Sequence, residues 1–550
     1  MSKLFLPVFA IAVFAGIVSC HHNSGTEVDM DGVAAFNKDS LASKIIMLSS
    51  DSFQGRRPFT AGEARTVDYI SKSFAAIGLE PGNNGSWFQE VPMGEITSVG
   101  DPVMKVQSPK GSFDLKKTDD YVIGTELTDS IVSLNNDAVV FAGYGIVAPE
   151  YKWNDYEGLD VKGKVVIVLV NDPGYDGSGD TSIFKGREMT YYGRWTYKYE
   201  EAARHGAKGC LIVHNTAAAS YPFSVVQNSW SKARIILDNR NEKKYDVPVK
   251  GWITEAAAKK ILMAAINDTA LLVKAKEHGF KGVPLNLKLS TTLQVTSVFN
   301  TSKNVIGKIT GTKRPDEYII YTAHWDHFGI GKPDENGDSI FNGALDNASG
   351  AASIMEIARA FKSMKTPPER TIIFLAVTAE EQGLLGSTYY AQHPIYPLDK
   401  TVANINIDEI NNVGPTKDIT ITGLGQSELE DYLLKELVAK GRYVAPELHP
   451  EGGHYFRSDH FSFAKVGVPA LTVGGGIDDI KKGKAYGAKK AEEYNEKHYH
   501  RPSDNYDAAT WNLEGGIEDI ILLFQVGKKL AFESRFPKWK EGSEFKKLRK

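Results

Sequence analysis

Between Thr322 and Ile410 the chain repeats one arrangement, a short apolar run that ends in acids or imidazoles, and this repetition restricts the possible folds more than any other feature. Tyr318-Ile-Ile-Tyr-Thr-Ala323 leads into His324, Trp325, Asp326 and His327. Thr371-Ile-Ile-Phe-Leu-Ala-Val-Thr-Ala379 leads into Glu380 and Glu381, and Val402-Ala-Asn-Ile-Asn-Ile407 into Asp408. Asp346-Asn-Ala-Ser-Gly350 opens a small-residue stretch of helical character. Continuous apolar runs of this length, bounded by polar residues, read as strands of a parallel sheet buried on both faces. Ligands of open α/β sheets bind outside the carboxyl ends of the strands. Acids and imidazoles delivered to several strand ends therefore predict one shared site.

The residue types indicate its chemistry. Adjacent glutamates usually lie on a solvated helix face, but Glu380 and Glu381 end an apolar strand, where two buried acids are costly unless paired with a metal or a proton. Carboxylates and imidazoles without thiolates suit Zn²⁺ in an open, catalytic site. Two close metals need a carboxylate between them. A further group lies far downstream, in Tyr499-His500-Arg501-Pro502-Ser503-Asp504.

The chain of 550 residues is too long for one core at roughly 150 residues per domain. Ala61 to Ile77 places Val67, Ile70, Phe74 and Ile77 on one helical face, with Gly78 as its C-cap. From Tyr121 the pattern changes to short β-like segments, among them Ala138 to Ile146, Gly163 to Val170 and Gly209 to His214, with none of the acid and imidazole clusters. Strand and helix alternate again from about Leu285 to Phe532. The fold class is thus α/β, a discontinuous domain over 35–125 and 285–550 with a β-rich insertion over 126–284. A net charge of -4 and the lack of a basic stripe exclude a nucleic-acid partner.

Lys3 precedes an apolar run, Leu4 to Val18, that is shorter than the roughly 20 residues that span a bilayer and has the character of a secretory segment. Ile17-Val18-Ser19-Cys20 resembles the bacterial lipobox. That resemblance implies a signal peptide over 1–20, lipidation of Cys20, and an exported lipoprotein that faces the periplasm or sits at the cell surface and touches the membrane through its lipid only. Residues 21–34, polar and without periodicity, are the expected tether. Cys210 is then left without a disulfide partner.

Taken together, these residues resemble the secreted di-zinc aminopeptidase family of metallopeptidases, which also holds glutamate carboxypeptidase, glutaminyl cyclases and the transferrin receptor. The resemblance rests on His-x-Asp at His324 and Asp326, Asp-Asn-Ala-Ser-Gly at Asp346, the Glu380-Glu381 pair, Asn-Ile-Asp at Asp408, Ser458-Asp459-His460 and His500. It covers part of 41–81 and nearly all of 304–507, and 137–215 looks like the protease-associated domain that many members carry as an insertion. It implies a three-layer catalytic domain around a mixed, mostly parallel sheet, and two Zn²⁺. By the same resemblance Asp346 bridges the ions, His324 and Asp408 complete one site, and Glu381 and His500 complete the other. Glu380 is then the general base and Tyr455 donates to the oxyanion, while Asp326, two residues after His324 on the same strand face, is placed by its spacing to accept the free ring N–H of that histidine. A cis peptide is implied at Asp346-Asn347.

Glu409 departs from the family, which usually has an apolar residue there. It is either a site for a substrate's α-ammonium or an acid turned away, and both readings stay open. The loops 445–453 and 474–497 are expected to roof the site. The leading expectation is a zinc aminopeptidase acting on peptides with a free N-terminus. Its alternatives are a carboxypeptidase, which needs an arginine cluster absent from the sequence, a glutaminyl cyclase, and a non-catalytic binding protein. The oligomeric state is not expressed in the sequence.

Overall fold

In the computed structural model, which describes residues 30–177, 183–238, 240 and 246–549, each apolar run of the central stretch is a buried strand. The chain enters through α1 (Lys38–Leu48) and α2 (Ala61–Ile77). Val67, Ile70 and Phe74 of α2 are buried, and Gly78 ends the helix at φ 89°, a left-handed position that glycine takes without a Cβ clash. Strand β1 (Phe88–Gly100) leads into a β-rich half made of β2 (Ile131–Phe141), β3 (Val165–Leu169), α3 (Trp195–Arg204), β4 (Gly209–His214) and β5 (Val249–Thr254). These strands pair in parallel in the order β2-β3-β4-β5. Cys210 lies buried and free in β4, where burial pushes its thiol up to about 12.

The long β6 (Val283–Ile309) crosses from one half to the other. It pairs antiparallel with β2 over its first half and with β1 from Leu293 to Val305. Then follow β7 (Arg314–His324), α4 (Ser349–Ser363), β8 (Arg370–Val377), α5 (Leu385–Gln392), β9 (Thr401–Asn406), β10 (Asp418–Ile421), α6 (His460–Ala464), β11 (Ala470–Gly474), α7 (Lys484–Lys497) and α8 (Glu514–Phe532). The central sheet runs β6-β8-β7-β9-β11-β10, parallel from β8 to β11 and antiparallel at both ends. Ile319, Tyr321 and Ala323 of β7, with Ile372, Phe374 and Ala376 of β8, turn to the side covered by α1, α2, α4 and α8. Ile320, Ile373, Leu375 and Val377 turn the other way, against Tyr390 of α5 and Phe463 of α6. Alternation onto two buried faces is what makes such a strand read as an unbroken apolar run. The domain is α/β, three-layered, with a mixed and mostly parallel sheet.

Two expected boundaries shift. The apolar core of the β-rich half extends from Ile96 to Val295, so the divisions at 125/126 and 284/285 fall inside it. The cause is that β1 and β6 carry their alternation through both halves. The tether also ends earlier than 34, because Val33 and Ala35 pack against the main core and the Asp31 carboxylate accepts the Lys365 N–H at 3.0 Å. Cys20 and the whole signal segment lie outside the described residues. Among the described residues no helix is long and apolar enough to cross a membrane.

Candidate metal centre

Because β7, β8 and β9 are parallel neighbours, their carboxyl ends bring His324, Glu380 and Glu381, and Asp408 to one edge of the sheet. Asp346 stands between them. Its Oδ1 is 3.3 Å from His324 Nε2 and its Oδ2 3.1 Å from His500 Nε2. Asp408 Oδ1 lies 3.1 Å from the same His324 nitrogen, and Glu381 Oε2 3.3 Å from the same His500 nitrogen. Each oxygen of Asp346 thus faces its own acid and imidazole. Donor atoms of His324, Asp346 and Asp408 all lie within 4.8 Å of one another, as do those of His327, Asp346 and Glu381.

The segment that presents Asp346 is held from several directions. The Asp346-Asn347 peptide is cis, as the resemblance implies. Asp504 accepts the N–H groups of Leu345 at 3.0 Å and Asp346 at 3.1 Å. Asn347 donates to the Ile407 carbonyl and accepts from Gly350 and Glu409 N–H, which ties the Asp346 turn to the end of β9. Gly350 is required there, since a Cβ would lie 2.2 Å from Asn347 Oδ1 and 2.4 Å from the Ile407 oxygen.

At the end of β8 the chain turns at Ala379, whose φ is 52°, and this lets two successive acids reach one site. Glu380 Oε2 lies 4.0 Å from His324 Nε2. Asp326 is placed differently from the expectation. His324 Nδ1 faces the Asp326 backbone carbonyl at 3.3 Å, with the nearer carboxylate oxygen at 3.8 Å. The Asp326 carboxylate instead accepts the backbone N–H of Glu380 at 2.9 Å. It positions the Glu380 main chain.

Tyr455 is also a correction. It lies 5% exposed among Met189, Phe456, Phe461, Trp539 and Phe545, and its hydroxyl has no hydrogen-bond partner among the described residues. Burial raises its phenol well above the usual value, and the acids that add to this are Glu544 and Glu430, not those of the site. Gly423 leaves room for the ring, since a Cβ there would lie 2.2 Å from it. A phenol beside the donor set is Tyr499, whose ring stacks on His500 at 3.7 Å between centroids. Burial, and then the charge of Asp346, raise it well above the ordinary value. Its place beside His500 was the only sequence signal for it.

Buried and half-buried acids share this space. Burial raises Glu381 well above its ordinary value and the Asp346 charge adds to it; burial raises Glu380 similarly, with His324 opposing and Asp408 adding. Burial pulls the His324 imidazole down, but Asp408 and Glu380 outweigh it and hold it well above the usual range. Glu381 Oε1, Asp326 Oδ2 and both ring nitrogens of His327 are buried without hydrogen-bond partners among the described residues. A donor set of oxygen and imidazole nitrogen, over-supplied with negative charge and under-supplied with hydrogens, fits divalent cations.

Sequence reasoning also missed Arg56, Asp504 and a pair of arginines. Arg194, from the β-rich half, and Arg457, three residues before His460, are far apart in sequence, yet burial and then the like charge of Arg457 lower the Arg194 guanidinium to about 10. Arg194 Nε is buried without a hydrogen-bond partner among the described residues. Arg457 also acts on Tyr499.

The sheet and its shared aspartate define the class, a metal-binding α/β fold with donors at the strand ends. The sequence profile of Peptidase family M28 matches residues 304–525 of the chain. It is 39% identical over 113 residues to Aminopeptidase NAALADL1 of Mus musculus, 20% of this chain and 14% of that one. It is 27% identical over 346 residues to Aminopeptidase YwaD of Bacillus subtilis (strain 168), 60% of this chain and 58% of that one. The chain spans less than two thirds of the length of either relative. Among solved structures it is similar to an aminopeptidase from Aneurinibacillus sp. strain AM-1, 18% identical, with 94% of this chain and 97% of that chain covered at a TM-score of 0.48.

Proposed function

We propose that the chain is a two-zinc exopeptidase that removes N-terminal residues from peptides outside the cytoplasm. The observation that carries the two-ion reading is Asp346, whose two oxygens each face a separate imidazole and carboxylate. His324, Asp408 and Asp346 would hold one ion, and Glu381, His500 and Asp346 the other. When bound, such ions polarise a scissile carbonyl and acidify water. Glu380 acts as general base, taking the proton of the attacking water at its carboxylate and delivering it to the leaving amine. The Asp326 carboxylate keeps Glu380 in place through the backbone. In this reading Tyr499, whose ring stacks on His500, takes the oxyanion-donor role in place of Tyr455.

Glu409 supports the aminopeptidase direction. It sits at φ 65°, and burial, then Asp346 and Asp408, raise its carboxyl well above the ordinary value. An acid in such surroundings favours a cation beside it, and a substrate α-ammonium supplies one. Hydrolysis of aminoacyl amides with free and with acetylated N-termini tests this: acetylation should abolish turnover, and Glu409→Gln should raise KM more than it lowers kcat. Equal turnover of blocked and free substrates would remove the aminopeptidase reading.

The Arg194 and Arg457 pair favours a second reading, in which a carboxylate is bound and the enzyme cleaves from the carboxyl end. Release of C-terminal residues from N-blocked peptides, lost in Arg457→Ala, would establish it in place of the first.

Attachment belongs to the same proposal. The lipobox-like Ile17 to Cys20 supports a lipidated Cys20, so Cys20→Ala should move the protein from the membrane fraction to the soluble fraction or block its processing. A Cys20→Ala chain that still sediments with membranes would rule the anchor out.

A further inference from the structure

His327 follows Asp326 just beyond the end of β7, and no role falls to it in the five-residue ligand set. Its side chain is fully buried, with 0% exposed. Among the described residues neither ring nitrogen has a hydrogen-bond partner. Its Nδ1 lies 2.5 Å from Glu381 Oε1, an oxygen that also lacks a hydrogen bond. The ring occupies a seat that the chain keeps open. Gly343 stands against it at φ 53°, and a Cβ there would lie 2.7 Å from His327 Cγ and Cδ2. Phe328 and His500 border the ring at 4.9 and 6.0 Å between centroids.

A core histidine that serves only packing satisfies at least one of its nitrogens, because an unpaired buried polar group costs about 1–3 kcal/mol. His327 satisfies neither, although it lies within 4.8 Å of the donor atoms of both Asp346 and Glu381. We propose that His327 is a further protein ligand of the ion held by Glu381 and His500. The inference rests on the two-ion reading above and adds an inequality between its sites. His327, Glu381, His500 and Asp346 would supply four protein donors, the number that structural zinc sites use. His324, Asp408 and Asp346 make three and leave a position open. The His327 site is then the tighter one and fills first, and the open site is where substrate gains access.

Cobalt-loaded protein tests this without turnover. With Co²⁺ in both sites, each coordinated imidazole gives one exchangeable, hyperfine-shifted N–H resonance. Three are expected in the wild type, from His324, His327 and His500, and two in His327→Gln. Zinc titration of the chelated protein should show two unequal classes in the wild type, with the tighter one weakened at least about 100-fold in His327→Gln, beyond the usual 10–100-fold effect of an outer-sphere partner. Two resonances in the wild type would overturn the assignment and leave His327 as a hydrogen-bond partner of Glu381. Failure of the protein to bind cobalt at all would instead overturn the metal reading itself. The wild-type spectrum decides even if the variant does not fold.

Discussion

Glu380→Gln should retain full metal content and an unchanged fold while kcat falls by at least about 10²–10⁴-fold, the usual contribution of a general base. Glu381→Ala, one residue away, should lose the ion it shares with His500 and recover part of its activity in excess Zn²⁺. A surface reading of the Glu-Glu pair would treat the two as equivalent. The structure separates them: Glu381 Oε2 lies 3.3 Å from His500 Nε2, inside the donor set, whereas Glu380 Oε2 stands 4.0 Å from His324 Nε2. A base must exchange a proton with water and gains from a raised affinity for it, while a ligand must donate a lone pair continuously. Amide substitution removes the first ability from Glu380 and leaves its shape and its backbone hydrogen bond to Asp326 intact. Metal content and single-turnover rates on both variants decide the division. Loss of metal from Glu380→Gln, or full metal and full activity in both, would reverse or remove the roles assigned here.

The parts of this arrangement that could be read from the sequence follow one rule. A strand buried on both faces shows as an apolar run, and the first polar residues after it mark its carboxyl end. His324, the Glu380-Glu381 pair and Asp408 were visible for that reason. Tyr455 departs from the role that the resemblance implies because a motif says nothing about the direction of its ring, which Gly423 and the aromatic cluster determine. Asp326 was assigned to His324 on spacing alone. The turn at Ala379 brings the Glu380 amide within its reach, and that amide takes the carboxylate. The arginine pair was invisible because Arg194 and Arg457 belong to different halves of the chain. The strand β6, which runs unbroken through both halves, hid the domain boundary in the same way.

Arg56 shows most clearly what periodicity cannot reveal, and its removal should cost the most stability. It lies in an irregular turn at φ 52°, 1% exposed, after Gly55, where a Cβ would lie 2.5 Å from the Gly329 oxygen. Its Nε donates to the Trp325 carbonyl at 2.8 Å, its Nη1 to Leu48 at 2.9 Å and Asn342 at 2.5 Å, and its Nη2 to Gly343 at 2.8 Å. One guanidinium therefore joins α1, the turn after His324 and the loop before Asp346. Burial lowers it to about 10, with Asp504, Asp346, Asp326 and Glu381 opposing that fall, so it stays cationic at neutral pH. Arg56→Met would leave four carbonyls without their donor and four acids without a fixed cation. The expected loss is about 3–5 kcal/mol, the range for removing one partner of a buried charge set. Arg56→Lys should recover little, since one ammonium cannot match the planar fork. The loss should be larger in chelated protein than in zinc-loaded protein, because bound ions supply positive charge to the same acids. Thermal unfolding of both forms, with and without zinc, measures this. An Arg56→Met protein as stable as the wild type when chelated would mean that the carbonyls find other donors and that Arg56 does not hold the site together.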